Sequence, residues 1–222
     1  EGRTTALSTL AARRSMDDDT LLAGLSDVDP NVRVVAAKVA VDFVGQFADR
    51  YPASRERLFH LANDADIRVR YQVAFSLGEL DGPLQAETIA RLVVNDGADQ
   101  WMRLALLSST LNTAGDVFLR LAVNKDSRSK AHVSRFLTTL AQQIGRAGQS
   151  RQIASVLKSL DQLPASEAGL KSAIVKATVE KLAGKQRDQF LAAASGNAAA
   201  VLKELLAGAR QRAANEDLAI NE

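Results

Sequence analysis

Asp64-Ala65-Asp66-Ile67-Arg68-Val69-Arg70-Tyr71-Gln72-Val73-Ala74-Phe75-Ser76-Leu77-Gly78-Glu79-Leu80 is the stretch on which the rest of the chain varies. Val69, Val73 and Leu77 recur four apart and Ala74 fills the narrow position beside them, which is the apolar stripe of an amphipathic helix. Asp66 stands where its carboxylate can cap the first free N–H groups. Asp64 and Asp66 together suit the positive end of the helix dipole. Gly78 lies near the far end, where the helix can close or a neighbouring backbone can approach.

The pattern stands twice more. Upstream it reads Asp27-Val28-Asp29-Pro30-Asn31-Val32-Arg33-Val34-Val35-Ala36-Ala37, with Pro30 suited to the first helical turn. Downstream it reads Asp96-Gly97-Ala98-Asp99-Gln100-Trp101-Met102-Arg103-Leu104-Ala105-Leu106-Leu107. Arg33, Arg70 and Arg103 correspond, at separations of 37 and 33 residues, and so do Val32, Val69 and Met102. One polar turn per period of that length indicates stacked helix pairs. A single pair cannot bury its apolar face, whereas stacked neighbours bury it against each other.

These units resemble HEAT repeats, helical hairpins that form curved solenoids, over roughly residues 18–145. The resemblance implies an all-α fold, an α–α superhelix with less regular helices toward the C-terminus. Arg68-Val69-Arg70-Tyr71-Gln72-Val73-Ala74-Phe75-Ser76-Leu77-Gly78-Glu79-Leu80, with Trp101-Met102-Arg103-Leu104-Ala105-Leu106-Leu107-Ser108-Ser109, is also similar to the HEAT-like segment of large bacterial membrane-bound dehydrogenase and haem-binding proteins of planctomycete type. In those proteins such a segment looks like a spacer between a sugar-dehydrogenase-like propeller and a cytochrome-type domain. That closer likeness implies a periplasmic or cell-envelope setting and places no redox chemistry on any residue of this chain.

Bulk composition agrees with a globular helical chain. Of 222 residues, 46% are apolar and 24% charged, while only 5% are aromatic, a balance that favours close helix packing over sheet. The formal charge of +2 does not argue for a nucleic-acid partner, which calls for a strongly basic face. With no cysteine there is neither a disulfide nor a thiol nucleophile, and CxxCH haem attachment is excluded. No continuous apolar run reaches the roughly 20 residues that span a bilayer. The chain opens on Glu1 without methionine, as expected of a processed protein or a segment of a longer one.

The repeat signature divides the chain into a repeat array over 1–146 and an irregular helical continuation or capping bundle over 147–222. Residues 1–16, with Leu7, Leu10 and Ala11, read as the second helix of a truncated unit. Asp81-Gly82-Pro83 and Asn112-Thr113-Ala114-Gly115 are breaks. The helix after Asn124-Lys125-Asp126-Ser127 lacks the proline, the first arginine and the paired acids of its predecessors; its Gly145 falls about two periods after Gly78. Residues 215–222 read as a frayed end.

The repeated charged set is Asp29 with Arg33, Asp66 with Arg70 and Asp99 with Arg103. Acid and arginine four apart can meet on one helix face, or the planar guanidinium can bridge adjacent units. The expectation is a polar ladder tying turns together; an anion- or peptide-binding row is the alternative. Trp101, the sole tryptophan, is expected to seal an inter-unit contact, with anchoring of a partner as the alternative. Tyr71, Gln72, Arg68 and Trp101 are the candidate partner-binding residues, joined by Arg103.

No catalytic, cofactor or metal site is expected. His60 and His132 have no ligand-spaced neighbours, and His60 is expected at a boundary between core and surface. Asp17-Asp18-Asp19 lacks the alternating spacing of a calcium loop and reads as a helix cap. There is no glycine-rich phosphate loop, and the serines lack a nucleophile elbow. The leading expectation is a non-catalytic scaffold whose partner is a protein or an adjacent domain of the same polypeptide. The alternative is a DNA-glycosylase-like or lyase-like enzyme on a HEAT fold, which would need a basic groove and a buried acid.

Overall fold

The computed structural model describes residues 2–204 and Ala207; the frayed end expected at 215–222 lies outside them. The fold is all-α, with no strand among the described residues. It divides into two compact units, residues 1–113 and 114–222. The division falls at 113/114, in place of the boundary expected at 146 from the repeat pattern.

The first unit holds α1 (Gly2–Ala12), α2 (Asp18–Leu25), α3 (Pro30–Val44), α4 (Pro52–His60), α5 (Ile67–Ser76), α6 (Pro83–Asp96) and α7 (Gln100–Ser108). Helices α2, α4 and α6 stack on one another, and α1, α3, α5 and α7 stack in a second row. Helix α1 takes the place expected of the second helix of a truncated unit, packing on α3. Its C-terminus is a left-handed cap in which Ser15 N–H reaches Leu10 O and Arg14 N–H reaches Ala11 O. Arg14 holds φ +52° where glycine is usual, a conformation that costs an L-residue about 1–2 kcal/mol.

Each repeat begins as its sequence dictates. Asp29, Asp66 and Asp99 adopt extended backbone and accept from the backbone N–H two residues on, Asp99 also from Met102 N–H. Pro30, Pro52 and Pro83 each open a helix where the missing N–H is not needed. The core stripe points inward: Val32, Val69, Val73, Leu77, Met102 and Leu106 are buried. Buried hydroxyls stitch the second row, Ser76 Oγ donating to Ala37 O at 3.0 Å and Ser109 Oγ to Ala74 O at 2.7 Å. Glycine permits that approach: a Cβ on Gly45 would lie 2.9 Å from Glu79 O.

The second unit contains α8 (Ala114–Val123), α9 (Lys125–Arg128), α10 (Ala131–Ala147), α11 (Ser150–Gln162), α12 (Ala168–Val179) and α13 (Gly184–Ala193), with further helix over 196–204. Helix α8 packs on α11 and α10 on α12, so two helix pairs stack here as well. Gly145 in α10 serves the close approach that Gly45 serves earlier, since a Cβ there would lie 2.4 Å from Thr178 O.

Candidate partner-binding face

The arginines turn away from the acids four residues before them. Arg33 Nε and Nη2 both donate to the Asp64 carboxylate of the next repeat at 2.7 Å, and Nη1 donates to Asp27 O and Val28 O. Arg70 repeats this with Asp96, at 2.8 and 2.7 Å, and with Asp64 O and Ala65 O. Arg103 donates to Gly97 O and Ala98 O. The physical reason is that Asp29, Asp66 and Asp99 are engaged as helix caps. The preceding loop carbonyls lie within reach of all three guanidinium forks, and the next repeat's acid within reach of Arg33 and Arg70.

These pairs set the local protonation. For Asp64, burial alone raises the carboxyl pKa, but hydrogen bonds from Arg33 and from Asp66 N–H, with the Arg33 and Arg57 charges, hold it below its ordinary value. Hydrogen bonds from the Arg68 side chain and backbone bring Asp66 down to about 2. The hydrogen bond to Asp64 raises Arg33, and that to Asp96 raises Arg70.

Arg128 makes the same arrangement in the second unit. Its Nη1 donates to Ala122 O, and its Nε and Nη2 fork onto Glu167 at 2.9–3.1 Å. The sequence pattern misses this arginine because it sits in the short α9, ahead of the helix expected to carry it. In the folded chain Arg33, Arg70, Arg103 and Arg128 each bond the carbonyl six residues back, so Arg128 is the fourth member of the set.

Superposing the copies by their capping aspartates aligns Asn31, Arg68 and Trp101, then Val34, Tyr71 and Leu104, then Lys38, Phe75 and Ser108. These positions fall at helical spacing on the side of α3, α5 and α7 opposite the core. In α3 the face is mostly polar. In α5 and α7 it is apolar and open to solvent, with Ile67, Phe75, Leu104 and Trp101 all exposed. Trp101 is 59% exposed, so it does not seal an inter-unit contact as expected; its side chain is on the outer stripe, one residue before the buried Met102.

A groove of about 420 Å³ is lined by Ile67, Arg68, Tyr71, Asp99, Trp101 and Met102. Tyr71 is half-buried and meets Phe75 edge to face, with ring centroids 5.0 Å apart. Arg68 is committed to its surroundings, pairing with Asp66 at 2.7 Å and donating to Asn31 of the previous repeat at 3.1 Å. Gln72 is half-buried. The structure thus brings Arg68, Tyr71 and Trp101 to one groove. Ile67 joins them in the lining, while Phe75 and Leu104 are exposed on the same two helices.

His60 is exposed, contrary to its expected boundary position, and its Nε2 is 3.7 Å from Glu56. Among the described residues no group of three or more His, Asp or Glu is placed to hold a metal ion, and no helix is long and apolar enough to cross a membrane.

Residues 18–109 pack as stacked helix pairs, the class of a helical-repeat protein. Those residues match the family model for HEAT repeats. No curated protein matches the chain.

Proposed function

We propose that the chain is a non-catalytic scaffold that holds a protein segment against the α5–α7 face. The observation that carries this reading is a groove lined by the exposed Ile67 and Trp101 on two adjacent helices, α5 and α7, which also expose Phe75 and Leu104. An apolar patch of this kind marks an interaction surface, because leaving it in water forgoes about 25 cal/mol per Å² of burial. Tryptophan and tyrosine are the side chains most often found at the energetic centre of interfaces. The HEAT-repeat match over 18–109 supports a scaffold or interaction role.

In this reading the arginine forks are structural ties that hold adjacent repeats in register and keep the face continuous. The partner is an adjacent domain of the same polypeptide or a separate protein. The likeness of residues 68–80 and 101–109 to the spacer of dehydrogenase and cytochrome-type proteins supports the first choice and a periplasmic or envelope setting.

A photo-crosslinking residue in place of Trp101, compared with the same residue in place of exposed Glu87 on α6, tests this in cells making the whole gene product. Position 101 should give one saturable product whose partner peptide maps to a single segment. Identical products from both positions would overturn the reading.

A further inference from the structure

Arg33, Arg70, Arg103 and Arg128 share one anchoring. In each, Nη1 donates to the carbonyl six residues back, and in the first three also to the carbonyl five back. This fixes the guanidinium and leaves Nε and Nη2 as a pair of donors. In three of the four that pair closes on a carboxylate: Asp64 for Arg33, Asp96 for Arg70 and Glu167 for Arg128. Arg103 departs from the other three. Its Nη1 donates to Gly97 O at 3.0 Å and Ala98 O at 3.3 Å, but among the described residues its Nε and Nη2 meet no carboxylate.

The sequence carries the reason. Asp64 supplies the anchoring carbonyl of its own copy, and Asp96 stands one residue before the anchor of its copy, Gly97. In the fourth copy the anchor is Ala122 and the residue before it is Leu121, both buried and apolar. Arg103 thus keeps the fork of Arg33 and Arg70 without the acid that the following copy supplies to them. It lies on the last helix of the first unit's second row, within one turn of Trp101 and Leu104, which are 59% and 57% exposed. Ala98, whose carbonyl it holds, precedes Asp99, which lines the α5–α7 groove.

We infer that Arg103 takes an aspartate or glutamate side chain of the segment held on the α5–α7 face, an inference that rests on the role proposed for that face. A carboxylate is the ligand because three forks of the same build hold one. A two-pronged, charge-assisted contact of this kind is stronger than a neutral hydrogen bond. The two carbonyls have already ordered the guanidinium, so little of the contact is lost to immobilising it. The partner segment is thereby specified: large apolar side chains for Trp101 and Leu104, and an acid within reach of the fork.

The experiment selects a displayed library of random peptides on the purified whole chain and keeps the binders that fail on W101A. Those peptides should share an Asp or Glu at a fixed distance from a large apolar residue. Changing that acid to its amide in a synthetic peptide should weaken binding about tenfold by calorimetry, the size expected for one lost charge-assisted contact. That arm alters only the peptide, so the folding of a variant does not enter. R103K keeps a cation over the two carbonyls but loses the fork. It should bind the acidic peptide about tenfold more weakly and no longer distinguish it from the amide. Peptides without a shared acid, an amide that binds as tightly as the acid, or an R103K chain that still discriminates between them would each overturn the inference and leave the role of the face standing. Recovery of no peptide that depends on Trp101 would overturn the role of the face, and this inference with it.

Discussion

Arg33 closes a two-pronged ion pair on Asp64, 31 residues downstream, with both prongs at 2.7 Å and the side chains only 13% and 5% exposed. The pair spans two repeats, so it couples their packing as well as their charges. Removing Asp64 leaves a largely buried guanidinium without the carboxylate that its Nε and Nη2 hold. D64A should therefore destabilise the chain by about 3 kcal/mol in urea denaturation. R33A should cost a similar amount, and the double variant less than the two together, because the contact is shared.

Arg128 and Glu167 should behave alike in the second unit. Arg128 is the more buried partner, and its fork also holds Ala122 O. R128A is expected to cost about 3 kcal/mol, and R128M less, since methionine keeps the apolar stem without a charge. Hydrogen exchange of R128A should show lost protection in α8, α10 and α12; unchanged protection there would contradict this role.

Two glycines in the second unit should respond in opposite directions. A Cβ on Gly145 would stand 2.4 Å from Thr178 O, a backbone atom, so G145A must push α10 and α12 apart and should cost about 1–3 kcal/mol. Gly169 lies in α12 with open space around it, and G169A should stabilise by about 0.5–1 kcal/mol through helix propensity. Chemical denaturation of both variants checks the pair.

Acid should loosen the first unit. Asp66 is brought to about 2 by Arg68, and Asp64 and Asp29 are also held below 3.8. A carboxyl whose pKa is lower in the folded state contributes stability that is present above its unfolded value and lost as pH falls through its folded value. Denaturation midpoints should hold steady above roughly pH 4 and decline toward pH 2, and D64N should flatten that decline.

Trp101 should report its exposure directly. As the sole tryptophan, 59% open to solvent, it should emit at long wavelength in the folded state and be quenched readily by acrylamide. W101A and L104S should leave stability within about 0.5 kcal/mol of the parent, as expected of surface positions. A blue-shifted, quencher-resistant spectrum in the isolated chain would mean that the face is already covered.

The sequence by itself determined the helix pairs, their caps and their inward faces. Each rests on residues within one turn of each other: Asp66 before Ile67, Pro30 after Asp29, Val69 four before Val73. Local geometry has few alternatives at that range, so Val32, Val69 and Met102 could be placed in the core from spacing alone. Only the tertiary structure decided which acid Arg33 and Arg70 meet. Asp29 and Asp64 are both near in pattern to Arg33, and the choice between them is made by the packing of one repeat on the next. It also decided that Trp101 faces water, because the spacing of one helix fixes which residues share a face but not whether a neighbouring element covers that face. Arg128 stayed hidden for the same reason, since its partner, Glu167, comes from a helix pair whose sequence no longer resembles the others.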